Sequence, residues 1–299
     1  MSSPRLPEPT HTIMRLIAFL NDGGEPALGA RVDGDNLLDL SAVGAPATLD
    51  EVLRHGEAGF AALRLAQERA TVRRPLAGLR FLPPVQQPAK AFAIGLNYLD
   101  HAAESKFDVP KFPVVFQRYP SSWVAHGQPL VRPHVSTQFD YEAELVAVIG
   151  KAGRYIAKEK ALEHVAGYSI FNDGSIRDYQ LRTNQWTLGK NFDNSGSFGP
   201  EFVTADELPA GASGLRIQCR LNGQTLQEAN TKDMIFDVAT LVSACSEAMA
   251  LQPGDIIITG TPSGVGMARK PQVWMKAGDT CEVEVERIGT LRNRIVDEA

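Results

Sequence analysis

The chain has 299 residues, 43% hydrophobic and 22% charged, with 30 Lys and Arg against 35 Asp and Glu for a net charge of −5. This is a globular composition, which excludes disorder, collagen and coiled coil and argues against a nucleic-acid binder built on a broad basic surface. No apolar run approaches the ~20 residues of a membrane helix, and residues 13–20 are broken by Arg15 and lack the flanks of a signal peptide. Three cysteines without C-x-x-C spacing suit neither a disulfide framework nor a thiolate zinc site. The expectation is a cytoplasmic protein with neither nucleic acid nor membrane as partner.

Residues 1–13, with Pro4, Pro7 and Pro9, read as a loose tail. Residues 15–20 and 30–40 read as short strands, with turns at Asn21-Asp22-Gly23-Gly24 and Asp33-Gly34-Asp35. Residues 49–65 look helical, although Gly56 and Gly59 weaken a single unbroken helix. No acid, base and nucleophile combine here, so 14–85 is read as a small N-terminal α/β lobe. Pro83, Pro84 and Pro88 mark an extended link to residues 89–299. There, 139–149, 255–259 and 281–286 read as strands, the last with one solvated face. Val238, Leu241, Val242, Cys245, Ala248 and Met249 form one helical stripe, ended by Gln252-Pro253-Gly254 and read as core. Strands with few intervening helices argue against a doubly wound sheet and for an α+β, β-rich class.

The segment 139–149 carries the strongest signal. Phe139, Tyr141, Ala143, Leu145, Ala147 and Ile149 share one face of a strand, while the other runs Asp140, Glu142, Glu144 and then Val146 and Val148. A strand apolar on both faces at one end is buried, so the acids sit at the rim of a core. Same-face neighbours stand only ~6.6 Å apart and repel unless neutralised. A hard divalent cation would do that. A solvated edge strand is the commoner fate of Glu-x-Glu, but the apolar flanks argue against it here.

Two further segments carry polar groups. Asn172-Asp173-Gly174-Ser175 follows the apolar stretch 165–171, where Asp173 serves either as a turn residue or as a third carboxylate. Ser175 and Asp178 have capping-box spacing, predicting a short helix on which Arg177 and Gln180 face the same way. Asn97 and Asp100 can cap a helix on which His101 and Glu104 share a face. A carboxylate beside an imidazole raises its basicity, as a water-activating base requires, although spacing alone fits a surface pair equally well.

Taken in order, Gly95-Leu96-Asn97-Tyr98 with His101 and Glu104, then 139–151, Asn172-Asp173, Arg177-Asp178 with Gln180, Gly189-Lys190, Gly199-Pro200, Asp233-Met234-Ile235-Phe236, 251–266 and Gly278-Asp279 resemble the fumarylacetoacetate hydrolase superfamily. The resemblance covers residues 89–299. It implies a β-roll catalytic domain, commonly homodimeric, holding one Mg²⁺ or Mn²⁺ ion per subunit. It makes Glu142, Glu144 and Asp173 the metal ligands, His101 and Glu104 a dyad on a mobile lid, and Lys190 a catalytic lysine. Tyr98, Arg177, Gln180 and Thr261 become substrate contacts. Arg118 and Tyr119 depart from the Lys and Pro of many relatives, and 191–198 diverges locally.

The implied activity is metal-dependent hydrolysis of a carbon–carbon bond in a 1,3-dicarbonyl acid such as an acylpyruvate or fumarylpyruvate. His101, oriented by Glu104, would deprotonate water, and Gln180 or Lys190 would stabilise the oxyanion. The alternative is a lyase or isomerase on a 2-oxo acid: an oxaloacetate decarboxylase or tautomerase, a hydroxymuconate isomerase, or a sugar-acid dehydratase. No G-x-S-x-G elbow supports a serine hydrolase.

Overall fold

A computed structural model describes residues 14–104 and 108–299. The expected tail, 1–13, and residues 105–107 of the expected lid lie outside the described residues. Strands dominate, and two sheets face each other. The larger runs, in spatial order, Arg73–Pro75, Asn36–Asp39, Pro26–Arg31, Arg15–Leu20, Gly196–Thr204, Val165–Asn172, Ala143–Ile149, Ile256–Ile258, Ala91–Gly95 and Val114–Gln117. The smaller runs Gln224–Asn230, Arg216–Leu221, Thr280–Val285, Gly289–Asp297 and Leu130–Arg132.

Ala143–Ile149 lies at the centre because both its faces are apolar. Ala143, Leu145, Ala147 and Ile149 pack with Cys219, Val283 and Leu291 of the smaller sheet and with Leu241 and Cys245 of the helix Val238–Ala248. Val146 and Val148 point the other way, into a cluster with Leu16, Val52, Leu63 and Ile256. The N-terminal segment therefore covers one face of the central strand and extends its sheet, Arg15–Leu20 pairing antiparallel with Gly196–Thr204. The prolines at 83–88 interrupt neither the sheet nor the core.

Several local expectations are corrected. The helical stretch over 49–65 breaks where Gly56 weakened it, into Leu49–His55 and Glu57–Arg69, with φ of 54° at Gly56. Their close crossing needs Gly59, since a Cβ there would lie 2.3 Å from the Val52 carbonyl oxygen. The strand over 139–149 is also two pieces: Phe139–Asp140 pairs with Ser175–Ile176, and Ala143–Ile149 pairs with Val165–Asn172. The stripe on Val238–Ala248 stops at Cys245; Met249 ends the helix and is exposed. Thr280–Val285 alternates between buried and half-buried as its sequence requires.

Candidate metal centre

The break between Phe139–Asp140 and Ala143–Ile149 builds the site. Glu142 lies in the break, where its N–H donates to Asn172 Oδ1 at 3.0 Å and its carbonyl accepts the Asp173 N–H at 2.9 Å. Those two bonds set Glu142 beside Asp173 at the ends of adjacent strands. Glu144 follows on the same strand and accepts the Gly260 N–H. Oxygens of Glu142, Glu144 and Asp173 all lie within 4.8 Å of one another, and all three residues are buried.

Buried cations interleave them. Lys190 Nζ lies 2.6 Å from Glu142 Oε2 and 2.6 Å from Asp173 Oδ2. Arg177 reaches Glu142 Oε1 at 2.7 Å and Asp140 Oδ2 at 2.8 Å. Arg118 donates to Asp173 Oδ1 at 2.7 Å, to the Gly174 carbonyl at 2.9 Å and to Ser122 at 3.0 and 3.1 Å. Burial opposes the charge of Arg177, but the Glu142 and Asp140 carboxylates outweigh it and raise its pKa. Asp140, on the acid face of the strand, is not a fourth member of the triad. Its oxygens hold Arg177 and accept the N–H groups of Gly266 and Met267 at 2.7 and 3.0 Å.

Four buried carboxylates stand against three buried cations, so one negative charge is uncompensated. It falls on Glu144, whose pKa is driven well above the usual carboxylate range by burial, then by Asp173 and Glu142. A buried oxygen set that lacks one positive charge could hold a divalent cation, and all-oxygen donors suit a hard one. The residues present fit such an ion.

The remaining predicted residues gather at the same place, with one exception. Gln180 Oε1 accepts from Arg177 at 2.8 Å, so the two share a face of the short helix Arg177–Gln180 and the amide N–H₂ of Gln180 is left to point elsewhere. The capping box proposed for that helix is absent: Ser175 donates to the Asp173 carbonyl, and Asp178 accepts from Ser136. Thr261 Oγ1 accepts from Gln227 at 2.8 Å, which turns its own proton away from the amide. Asn97 does not cap a helix. Its side chain bonds the Phe236 and Thr259 carbonyls and the Phe236 N–H, tying three loops together behind the site. Tyr98 is buried between Glu144 and Asp233, its hydroxyl without a hydrogen-bond partner among the described residues, and burial followed by those two carboxylates raises its pKa. Glu104 accepts the Gly264 N–H at 3.0 and 2.9 Å, joining the helix Leu99–Glu104 to the loop that carries Thr261. The His101 side chain is the exception, lying outside the described residues.

Sequence reading missed the roles of Arg118 and Gln227. Arg118 announced itself only as an unexpected guanidinium; Gln227 gave no signal, since only the packing of the two sheets brings it to Thr261.

The family model described as fumarylacetoacetate (FAA) hydrolase C-terminal matches residues 90–296. The chain is 39% identical to the mitochondrial oxaloacetate tautomerase of Xenopus laevis over 289 residues, 95% of this chain and 90% of that protein. Among solved structures, the fumarylacetoacetate hydrolase of Exiguobacterium antarcticum superposes with a TM-score of 0.82 at 35% identity, covering 95% of this chain and 100% of that one. The 5-carboxymethyl-2-hydroxymuconate delta-isomerase of Mycobacterium smegmatis superposes with a TM-score of 0.76 at 30% identity, with the same coverage. The chain belongs to the fumarylacetoacetate hydrolase family, and it is an enzyme of that superfamily.

Proposed function

We propose that the protein interconverts the enol and keto forms of a small 2-oxo acid of the oxaloacetate type, using Mg²⁺ or Mn²⁺ held by Glu142, Glu144 and Asp173. The observation that carries the reading is the Lys190 ammonium, 2.6 Å from two of the three carboxylates. A proton-carrying group thus stands against the carboxylates that would hold the cation. The relatives named oxaloacetate tautomerase and hydroxymuconate isomerase support the same class of reaction. When bound, the cation supplies Lewis-acid polarisation of the 2-oxo carbonyl.

The chain's own groups do the rest. Lys190 holds a proton at Nζ and exchanges it with carbon 3 of the substrate. In the enol-to-keto direction Lys190 gives that carbon a proton and the enol oxygen releases one, which returns the amine to the ammonium, so the isomerisation balances with no net proton gained or lost. Arg177 fixes Gln180 through its Oε1, leaving the Gln180 amide to donate to a substrate oxygen. Gln227 does the same for Thr261, whose hydroxyl proton is left for the substrate carboxylate. Removing water from around these dipoles strengthens each of them.

Hydrolysis of an acylpyruvate is the second reading. It is favoured by the anchoring of Glu104 on the loop 261–264, which holds the helix bearing His101 beside the site. One experiment separates the two. Wild-type protein with Mn²⁺ is given enol-oxaloacetate, followed by ultraviolet absorbance, and an acylpyruvate panel, with products read by mass spectrometry. Fast enol loss with intact acylpyruvates is the expected result; efficient cleavage of an acylpyruvate with no effect on the enol would move the assignment to hydrolysis.

A further inference from the structure

A substrate must reach the triad, yet the side chains around it leave little room. The free space there is about 30 Å³, enough for about two waters. Trp186 closes one side. A Cβ built on Gly95 would lie 2.2 Å from Trp186 Cζ3, so the indole occupies the space that any side chain at 95 would need. Phe116 meets the indole edge-on with ring centroids 5.5 Å apart, and the Lys190 ammonium lies 5.1 Å over the Phe116 ring. Indole, phenyl ring and ammonium therefore form one continuous wall running down to the carboxylates.

The indole is half-buried and hangs from an exposed strap, residues 181–185, between the one-turn helices Arg177–Gln180 and Thr187–Lys190. Both helices carry site residues and are locked together at Gly189, where a Cβ would lie 2.2 Å from the Gln180 backbone nitrogen. The strap's own bonds are local: the Leu181 N–H donates to the Arg177 carbonyl at 3.0 Å, and Thr183 bonds Gln185. The helices are thus fixed while the wall between them is set by one side chain.

We propose that Trp186 is the specificity-determining residue of the site, limiting it to 2-oxo acids with no bulky group beyond the chelating carbonyl. The proposal rests on the preceding reading, in which a 2-oxo acid binds at the triad. A larger cavity of about 450 Å³ lies beyond Tyr98 and Pro262, but none of the residues that line it lines the space at the triad, so the two are separate. A substrate that grows must therefore displace the indole.

The test is calorimetric and needs no turnover. Mn²⁺-loaded protein is titrated with oxamate and with N-phenyloxamate, which share the chelating group and differ only by a phenyl ring. Wild type should bind oxamate at least ~10-fold more tightly; Trp186→Ala should bring N-phenyloxamate level by raising its affinity ~10-fold or more, with oxamate within ~3-fold. Trp186→Phe, which retains a ring against Phe116, should fall between them and serves if the alanine variant fails to fold. Equal binding of both ligands by wild type, or no gain in either variant, overturns the proposal and leaves the metal reading standing. A wild-type protein that binds Mn²⁺ but not oxamate overturns both.

Discussion

Two sets of three acids can be set side by side in this molecule, and of these only the first brings its oxygens close enough together that they could hold an ion. Glu142, Glu144 and Asp173 are buried at the ends of two adjacent central strands, with oxygens within 4.8 Å and cations at 2.6–2.7 Å. Asp100, Glu228 and Asp233 are exposed around the larger cavity, and among the described residues none of them forms an ion pair; Glu228 accepts only a Gln218 amide bond at 2.8 Å. Water screens the second set, so it needs no partner. The first cannot be screened, and each of its charges must be answered by a neighbour or by a bound cation. Burial and a rigid backbone, rather than cavity size or the number of acids, distinguish the two.

The largest expected effect falls on this difference. Lys190→Met should lower tautomerisation by ~10²–10⁴, the usual contribution of a positioned acid or base. Mn²⁺ affinity in calorimetry should rise in the same variant, because a cation lying against two of the ligands has gone. A loss of metal binding with activity retained would reverse the roles assigned here. Next, Glu144→Gln should weaken Mn²⁺ by at least ~10², whereas Asp233→Asn in the screened set should stay within ~2-fold. Similar losses in both variants would erase the contrast.

A smaller effect is expected at Arg118. Its guanidinium fixes Asp173 while also bonding Gly174 and Ser122, and a lysine cannot make that fork. Arg118→Lys should weaken Mn²⁺ by ~10-fold with thermal stability nearly unchanged. An Mn²⁺ isotherm matching wild type would show that Asp173 needs no such support.

The smallest effect is one of pH. Because the Glu144 pKa is raised in the fold, the native state without metal binds more protons than the unfolded chain above the ordinary carboxylate range. Its stability should therefore fall as pH rises through that window. Mn²⁺ displaces that proton, so the thermal shift it produces should grow with pH, and Glu144→Gln should flatten the slope. A thermal shift independent of pH in wild type would contradict the charge balance described for the site.

What could be read from the sequence was what is local. The acids at 140, 142 and 144 on an otherwise apolar strand marked a buried charged rim, and the spacing of Arg177 and Gln180 placed them on one face, as their 2.8 Å bond bears out. The capping box at Ser175 and Asp178 failed because Ser175 is in a strand paired with Asp140, and tertiary pairing overrides a helix-start signal. Arg118 reaches Asp173 across 55 positions of chain and Gln227 reaches Thr261 across 34. Such partners follow from which strands neighbour which, and one sequence does not contain that order in any local pattern. Asn97 looked like a helix cap for the same reason: its partners at 236 and 259 are distant in sequence.

The proposed tautomerisation stands or falls with one divalent cation held by Glu142, Glu144 and Asp173. The most direct measurement follows enol-oxaloacetate loss in chelator-treated protein as Mn²⁺ is added back, with bound metal determined in the same samples. The rate should start near the uncatalysed value, rise in proportion to occupancy, and level off at one Mn²⁺ per chain, while Glu144→Gln stays at baseline throughout. Full activity in the chelated protein, or in Glu144→Gln, would contradict it.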